Sequence, residues 1–208
     1  MTPGKAEIVK CPYCGTTKEL FTLGSGNTIG ATFWSDNKRI APMLPRVSPI
    51  QKCPNCGKYY EKYKNRIGES NDYSFALGAL TFPEWKEAYA QFQAEGVDDK
   101  MNNQFRYWLI HSYNDYFYRS ENAPKPSEED FEFFSKTVVA FIDALEWNKV
   151  SDLLMKAELY REANMMQECR QVLDSIPTDQ LREDHKAIYD AIKLRMEKND
   201  NVVFQLYV

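Results

Sequence analysis

The sequence predicts an α+β fold, a small β-rich segment followed by a mostly α-helical domain, and three observations carry that expectation. Two Cys-Pro-x-Cys-Gly runs, Cys11 to Gly15 and Cys53 to Gly57, stand among turn-forming residues and short β-branched stretches. From Thr81 onward the apolar residues recur at helical spacing instead. Charge divides the same way: residues 1–66 hold 11 Lys and Arg against 4 acids, which leaves 15 against 26 for the remainder. A basic module of formal charge +7 is thus joined to an acidic one of −11.

A chain of 208 residues has room for one large domain or two small ones. Its 43% hydrophobic and 14% aromatic content is enough apolar material to bury a core, so it belongs with folded proteins rather than disordered ones. The opening residues Met1 to Glu7 lack the apolar run of a secretory signal, and no stretch reaches the ~18 apolar residues of a membrane helix. These features predict a cytoplasmic protein without a membrane partner. In a reducing compartment, cysteines at paired spacing read as metal ligands rather than disulfides.

The β-rich segment is expected over residues 1–68. Ile8-Val9-Lys10 leads into the first cysteine pair, Glu19 to Leu23 reads as a strand, and Gly24 to Asn27 as a turn. Thr28 to Trp34 is β-branched and aromatic, Ser35 to Lys38 reads as a hairpin loop, and Pro42, Pro45 and Pro49 punctuate an extended return to Cys53. Residues 69–80 form an apolar connector, in which Tyr73, Phe75, Leu77 and Leu80 are expected to be buried.

The all-α domain is expected over 81–208. Thr81-Phe82-Pro83-Glu84 has the spacing of a capping box with an early proline, and starts a helix that should end near Gly96. A second helix begins near Asp98 and aligns Phe105, Trp108, Leu109, Tyr113 and Tyr116; a third starts at Ser127 and carries Phe134, Val138, Phe141 and Leu145. Asn122 to Pro126 connects them. From Val150, Leu153, Ala157, Tyr160, Cys169, Leu173 and Ile176 fall at the positions of a 34-residue tetratricopeptide (TPR) frame, with Asn164 at the turn where Gly is common. The next frame places Ala187, Ala191 and Leu194, and then runs out of chain.

Cys11, Cys14, Cys53 and Cys56 are the strongest chemical signal. A two-residue gap lets both sulfurs of a pair reach one ion, the proline stiffens the turn, and the glycine takes a backbone conformation other residues avoid. Four thiolates close a tetrahedron and leave no position for water or substrate, so the expected ion is one structural zinc. Iron is the chemical alternative, since rubredoxins use the same knuckles; the residues between these pairs lack a rubredoxin's acidic character. One divalent ion on four thiolates would bring the first module from +7 to about +5.

Other candidates weigh less. Cys169 reads as a buried core thiol, His111 as a packing residue on an aromatic helix, and His185 as solvated on a charged face. Gly24 to Thr28 reads as a turn rather than a nucleophile elbow, and no phosphate loop is present. With no converging catalytic set, the chain reads as non-catalytic; an enzyme built on Tyr113, Asp115 and Tyr116 is the weakest of the three functional readings. Lys58, Lys62, Lys64 and Arg66, interleaved with Tyr59, Tyr60 and Tyr63, offer a possible nucleic-acid surface.

The run Ser25 to Ala31, Trp34-Ser35-Asp36 and Ala41 to Pro45 between the knuckles, followed by Ala157 to Glu162, resembles a group of uncharacterised bacterial proteins with an N-terminal four-cysteine zinc ribbon and a TPR-like helical domain. The resemblance covers most of the chain and implies that architecture and a bacterial cytoplasmic origin. The leading functional expectation is a zinc-stabilised module whose helices bind another protein.

Overall fold

The computed structural model describes residues 1–206, as two compact units. Unit 1 comprises Met1–Thr32 and Ile40–Val97; unit 2 comprises Phe33–Arg39 and Asp98–Val208.

Unit 1 is built on small antiparallel sheets. Strands β1 (Thr2–Lys10) and β2 (Thr17–Ser25) form a hairpin with Val9 opposite Lys18, and its tip is the first cysteine pair. Further along lie β3 (Thr32–Trp34) and β4 (Arg39–Ile40), described with unit 2. Strands β5 (Ile50–Lys52) and β6 (Tyr59–Glu61) form a second hairpin tipped by the second pair, and β7 (Arg66–Glu69) completes the order β2-β1-β7. Val9, Leu20 and Tyr60 bury their side chains with Cys11 and Cys53, so the cysteines are part of this unit's apolar core. The expected strand at Thr28 to Trp34 is realised only from Thr32; Thr28 instead starts a turn closed by Ala31 N–H.

Helix α1 (Phe82–Glu95) has its full capping box: the Thr81 hydroxyl accepts from Glu84 N–H, and Glu84 Oε2 accepts from Thr81 N–H at 3.0 Å. It ends at Gly96, whose φ of 81° is the left-handed conformation that glycine adopts without strain. The helix groups with the knuckle-bearing hairpins, a division that differs from the expected 1–68, 69–80 and 81–208. The reason lies on its polar side: Glu87 accepts from the Tyr59 hydroxyl at 2.5 Å, and Gln91 bonds both the N–H and the carbonyl of Tyr59.

Residues 69–80 are hydrogen-bonded to β2 and its surroundings, through Phe21 N–H to Ala76 O and Ser48 N–H to Leu77 O. Their expected burial is corrected here. Tyr73 and Phe75 are 62% and 74% exposed, and Leu77 and Leu80 are half-buried, because the segment is held by its backbone rather than by its side chains.

Unit 2 contains helices α2 (Asp99–Phe117), α3 (Glu128–Asp143), α4 (Val150–Glu162), α5 (Met166–Asp174) and α6 (Glu183–Glu197), with a terminal strand β8 (Gln205–Leu206) in a sheet of order β4-β3-β8. Asp98 and Ser127 cap α2 and α3 by accepting from Met101 N–H and Asp130 N–H. Tyr113 stacks on Phe134 with ring centroids 4.0 Å apart, which ties α2 to α3. Leu154, Ala157, Cys169, Leu173 and Ile176 join α4 to α5, and Tyr189, Ile192 and Met196 bring α6 onto them.

Two differences from the expected helix pattern have a geometric origin. The buried leucine near the start of α4 is Leu154 rather than Leu153, which packs at the margin of the core. On α6 the buried face is Tyr189, Ile192 and Met196, whereas Leu194 is 53% exposed. Asn164, between α4 and α5, has a φ of 61°. Asn tolerates that conformation and a β-carbon residue without a local hydrogen bond does not, at a cost of roughly 1 to 2 kcal/mol. Asn164→Gly should therefore retain the melting midpoint, and Asn164→Ala should lower stability by about 1 kcal/mol in urea titration.

Candidate metal centre

Each knuckle is a hairpin tip shaped by the same two backbone bonds. In the first, Cys11 N–H donates to Thr16 O and Gly15 N–H to Cys11 O; in the second, Cys53 N–H donates to Lys58 O and Gly57 N–H to Cys53 O. Gly15 and Gly57 have φ of 76° and 71°, so both turns need the residue without a β-carbon. This repetition presents one buried and one exposed sulfur from each tip.

The four sulfurs lie within 4.8 Å of one another, with Cys11 Sγ 3.7 Å from Cys56 Sγ and Cys14 Sγ 3.5 Å from Cys53 Sγ. All four are free thiols. A tetrahedron with metal–sulfur bonds of about 2.3 Å has sulfur–sulfur edges of about 3.8 Å, so the spacing fits one ion and is far too long for disulfides of about 2.05 Å. The donor set is sulfur only, which suits zinc or iron and closes the coordination shell.

The thiols of the two exposed cysteines are shifted in opposite directions. The hydroxyl and backbone of Thr16 pull the Cys14 thiol down to about 5. At Cys56 a backbone bond to Lys58 also pulls down, but desolvation and the bonds to Cys14, Cys53 and Cys11 prevail and push it up to about 12. Tyr60, beside the cluster, is pushed up to about 12 by desolvation and then by the charge of the four sulfurs. A divalent cation removes this conflict by taking all four as thiolates.

The other candidate residues are placed as follows. Cys169 is fully buried, and burial pushes its thiol up to about 12, which makes it inert. Tyr113 is buried against Phe134, while Asp115 is ion-paired with Arg119 and Lys38 and Tyr116 is half-buried; one helix carries all three. In the basic run, Lys62 is only 6% exposed and bonds Glu7, Lys64 pairs with Glu61, and Arg66 pairs with Glu7 and Glu69. Tyr59 and Tyr60 are buried, leaving Tyr63 exposed. Lys58, Tyr63, Lys64 and Arg66 remain exposed, while Tyr59, Tyr60 and Lys62 are buried.

Sequence reasoning missed a second constellation, in unit 2. Asp36, at the turn between β3 and β4, is completely buried, and its carboxylate accepts from the Arg119 guanidinium and from Asn114 Nδ2 at 3.1 Å. Its carbonyl lies 3.1 Å from His111 Nε2, and Ser35 exchanges two hydrogen bonds with the backbone of Phe204. Asn114 also donates to Glu162 Oε2 at 2.8 Å, while Glu162 Oε1 is buried without a partner. Burial, reinforced by Glu158 and Asp36, pushes the Glu162 carboxyl well above the usual range. Burial likewise pulls the His111 imidazole below its usual range. Glu158 and Arg161 form a fully buried pair beside them, and the Arg161 guanidinium also donates to Asp200 O and to Val202 O at 3.1 Å. The signal was an Asp after Trp-Ser in a short hairpin loop, with nothing nearby in sequence to mark it as buried.

Among the described residues no helix is long and apolar enough to cross a membrane, and the four cysteines form the one group able to hold a metal ion. Comparison with known proteins finds no protein-family model, no curated protein and no solved structure that matches this chain.

Proposed function

We propose that the protein is a non-catalytic binding module of the cytoplasm, in which Cys11, Cys14, Cys53 and Cys56 hold one structural zinc ion and the TPR-like helices of unit 2 receive another protein. The observation that carries this reading is an apolar face left open on α6. Ala187, Ala191 and Leu194, spaced for one side of a helix, line a groove of about 530 Å³ with Phe204 and Leu206. In a TPR frame this is the side on which the next helix would pack, and small residues there admit a close approach. An amphipathic helix laid on such a groove buries its apolar face at i, i+3 and i+4 positions.

The test is affinity capture from nuclease-treated extract with the zinc-loaded protein, beside Leu194→Glu and Ala191→Arg. A protein retained by the parent and released by both variants, with their circular dichroism unchanged, is the expected result. Retention that ignores both substitutions, or is lost on nuclease treatment, overturns it.

A further inference from the structure

A second cavity in unit 2, of about 380 Å³, is built differently from the groove along α6. Its walls are aromatic: Trp34 from β3, Tyr107 from α2, Phe141 from α3, and Trp147 between α3 and α4. Tyr107 and Phe141 have ring centroids 6.4 Å apart, and Phe141 meets Trp147 edge-on at 6.3 Å and 77°, so three rings follow one another along the wall. They are held firmly. Trp147 Nε1 donates to Ile142 O at 2.8 Å, and the Arg119 guanidinium covers Trp34 at 4.8 Å.

The polar side chains at this cavity are Ser35, Asn37, Lys38, Ser151, Asp152 and His185. Lys38 and His185 both line it. The Lys38 ammonium has three donors, of which Asp115 takes one. Asp152 lines it too, its two oxygens accepting from Lys149 N–H at 3.2 Å and from the Ser151 hydroxyl at 3.3 Å, bonds that leave its charge in place. Aromatic walls with a small number of placed polar groups, at a volume within roughly 300 to 1,000 Å³, are the features of small-molecule sites. His185, expected to be solvated, is half-buried here.

From this arrangement we infer that the cavity binds a planar aromatic small molecule bearing an anionic group, its ring packed among Trp34, Tyr107, Phe141 and Trp147 and its anion met by Lys38. Ring on ring, edge-to-face and offset contacts supply the apolar part of such binding. A charge-assisted bond from the ammonium supplies the selectivity for an anion. The inference goes beyond the interaction reading, because a small molecule and not a protein fills this site, and either can hold without the other.

The experiment uses the four tryptophans as reporters. In a ¹H–¹⁵N spectrum of the zinc-loaded chain titrated with 2-naphthoate, the indole signals of Trp34 and Trp147 should move, while that of Trp85, on α1, should stay. The neutral amide of the same ring should bind about tenfold more weakly, the loss expected when one charge-assisted bond is removed. Lys38→Gln should erase that difference. Leu145→Glu, at a cavity residue that is 40% exposed and so tolerant of change, should weaken naphthoate alone. Equal affinity for acid and amide, a common shift of all four indoles, or no shift of Trp34 and Trp147 overturns the inference.

Discussion

Protein carrying Cys53→Ser, or stripped of metal by a chelator, is expected to lose the cooperative fold of its knuckle-bearing unit. Cys11 and Cys53 are not surface appendages; they are buried with Val9, Leu20 and Tyr60 in the same core. Without an ion, four sulfurs within 4.8 Å of one another lose their common partner, and the core that surrounds them is small. In zinc-finger peptides the ion contributes on the order of 10 to 16 kcal/mol, more than the ~5 to 15 kcal/mol net stability of a typical domain. Elemental analysis of the parent should return about one zinc per chain, and backbone amide spectra of the stripped protein should collapse for residues 1–32 and 40–97. A stripped protein whose spectrum is unchanged would remove the structural role of the site.

The second large effect is expected at Asp36. Asp36→Ala leaves Arg119 buried with one of its two acidic partners gone, and leaves the Asn114 amide without an acceptor on that side. Breaking one member of a buried pair costs about 3 to 5 kcal/mol, because the remaining charge stays desolvated. Urea titration should show a loss of that size, with Asp36→Asn milder because it keeps an acceptor. The same network sets a pH profile. The Asp36 carboxyl, although desolvation works against ionisation, is held below its usual range by His111 and Arg119, so its contribution is present above about pH 4 and lost as pH falls through its folded value. His111 is depressed by burial, so unfolding is favoured as pH drops below about 6.5, where the unfolded chain takes up the proton first. Glu162 has the opposite sign. Its folded value is raised, so its full stability exists below about pH 4.5 and declines as pH rises toward that folded value. Glu162→Gln should therefore stabilise the protein at neutral pH and flatten this decline, measured as urea midpoints from pH 5 to 9. A midpoint that falls in the variant would show that Glu162 is ionised and compensated in the fold.

What could be read from the sequence was whatever a few neighbouring residues decide among themselves. Two sulfurs with two residues between them can reach one ion, Thr81 and Glu84 meet across a first helical turn, and Asn164 bridges two helices in a left-handed bend. Each of these depends on contacts within one turn of chain, so spacing alone determines them. The tertiary structure decided which surfaces those elements share. Asp36 meets Arg119 from 83 residues away and Ser35 meets Phe204 from 169, and neither partner leaves a mark on the other's local pattern. The same holds for α1, which groups with the hairpins through Glu87 and Gln91, and for Tyr73 and Phe75, whose apolar character did not bury them. His185 became a cavity residue only because β3, α2, α3 and α4 close around it. Burial at long range is set by the summed packing of several elements, and a one-dimensional pattern records only the face each element turns inward.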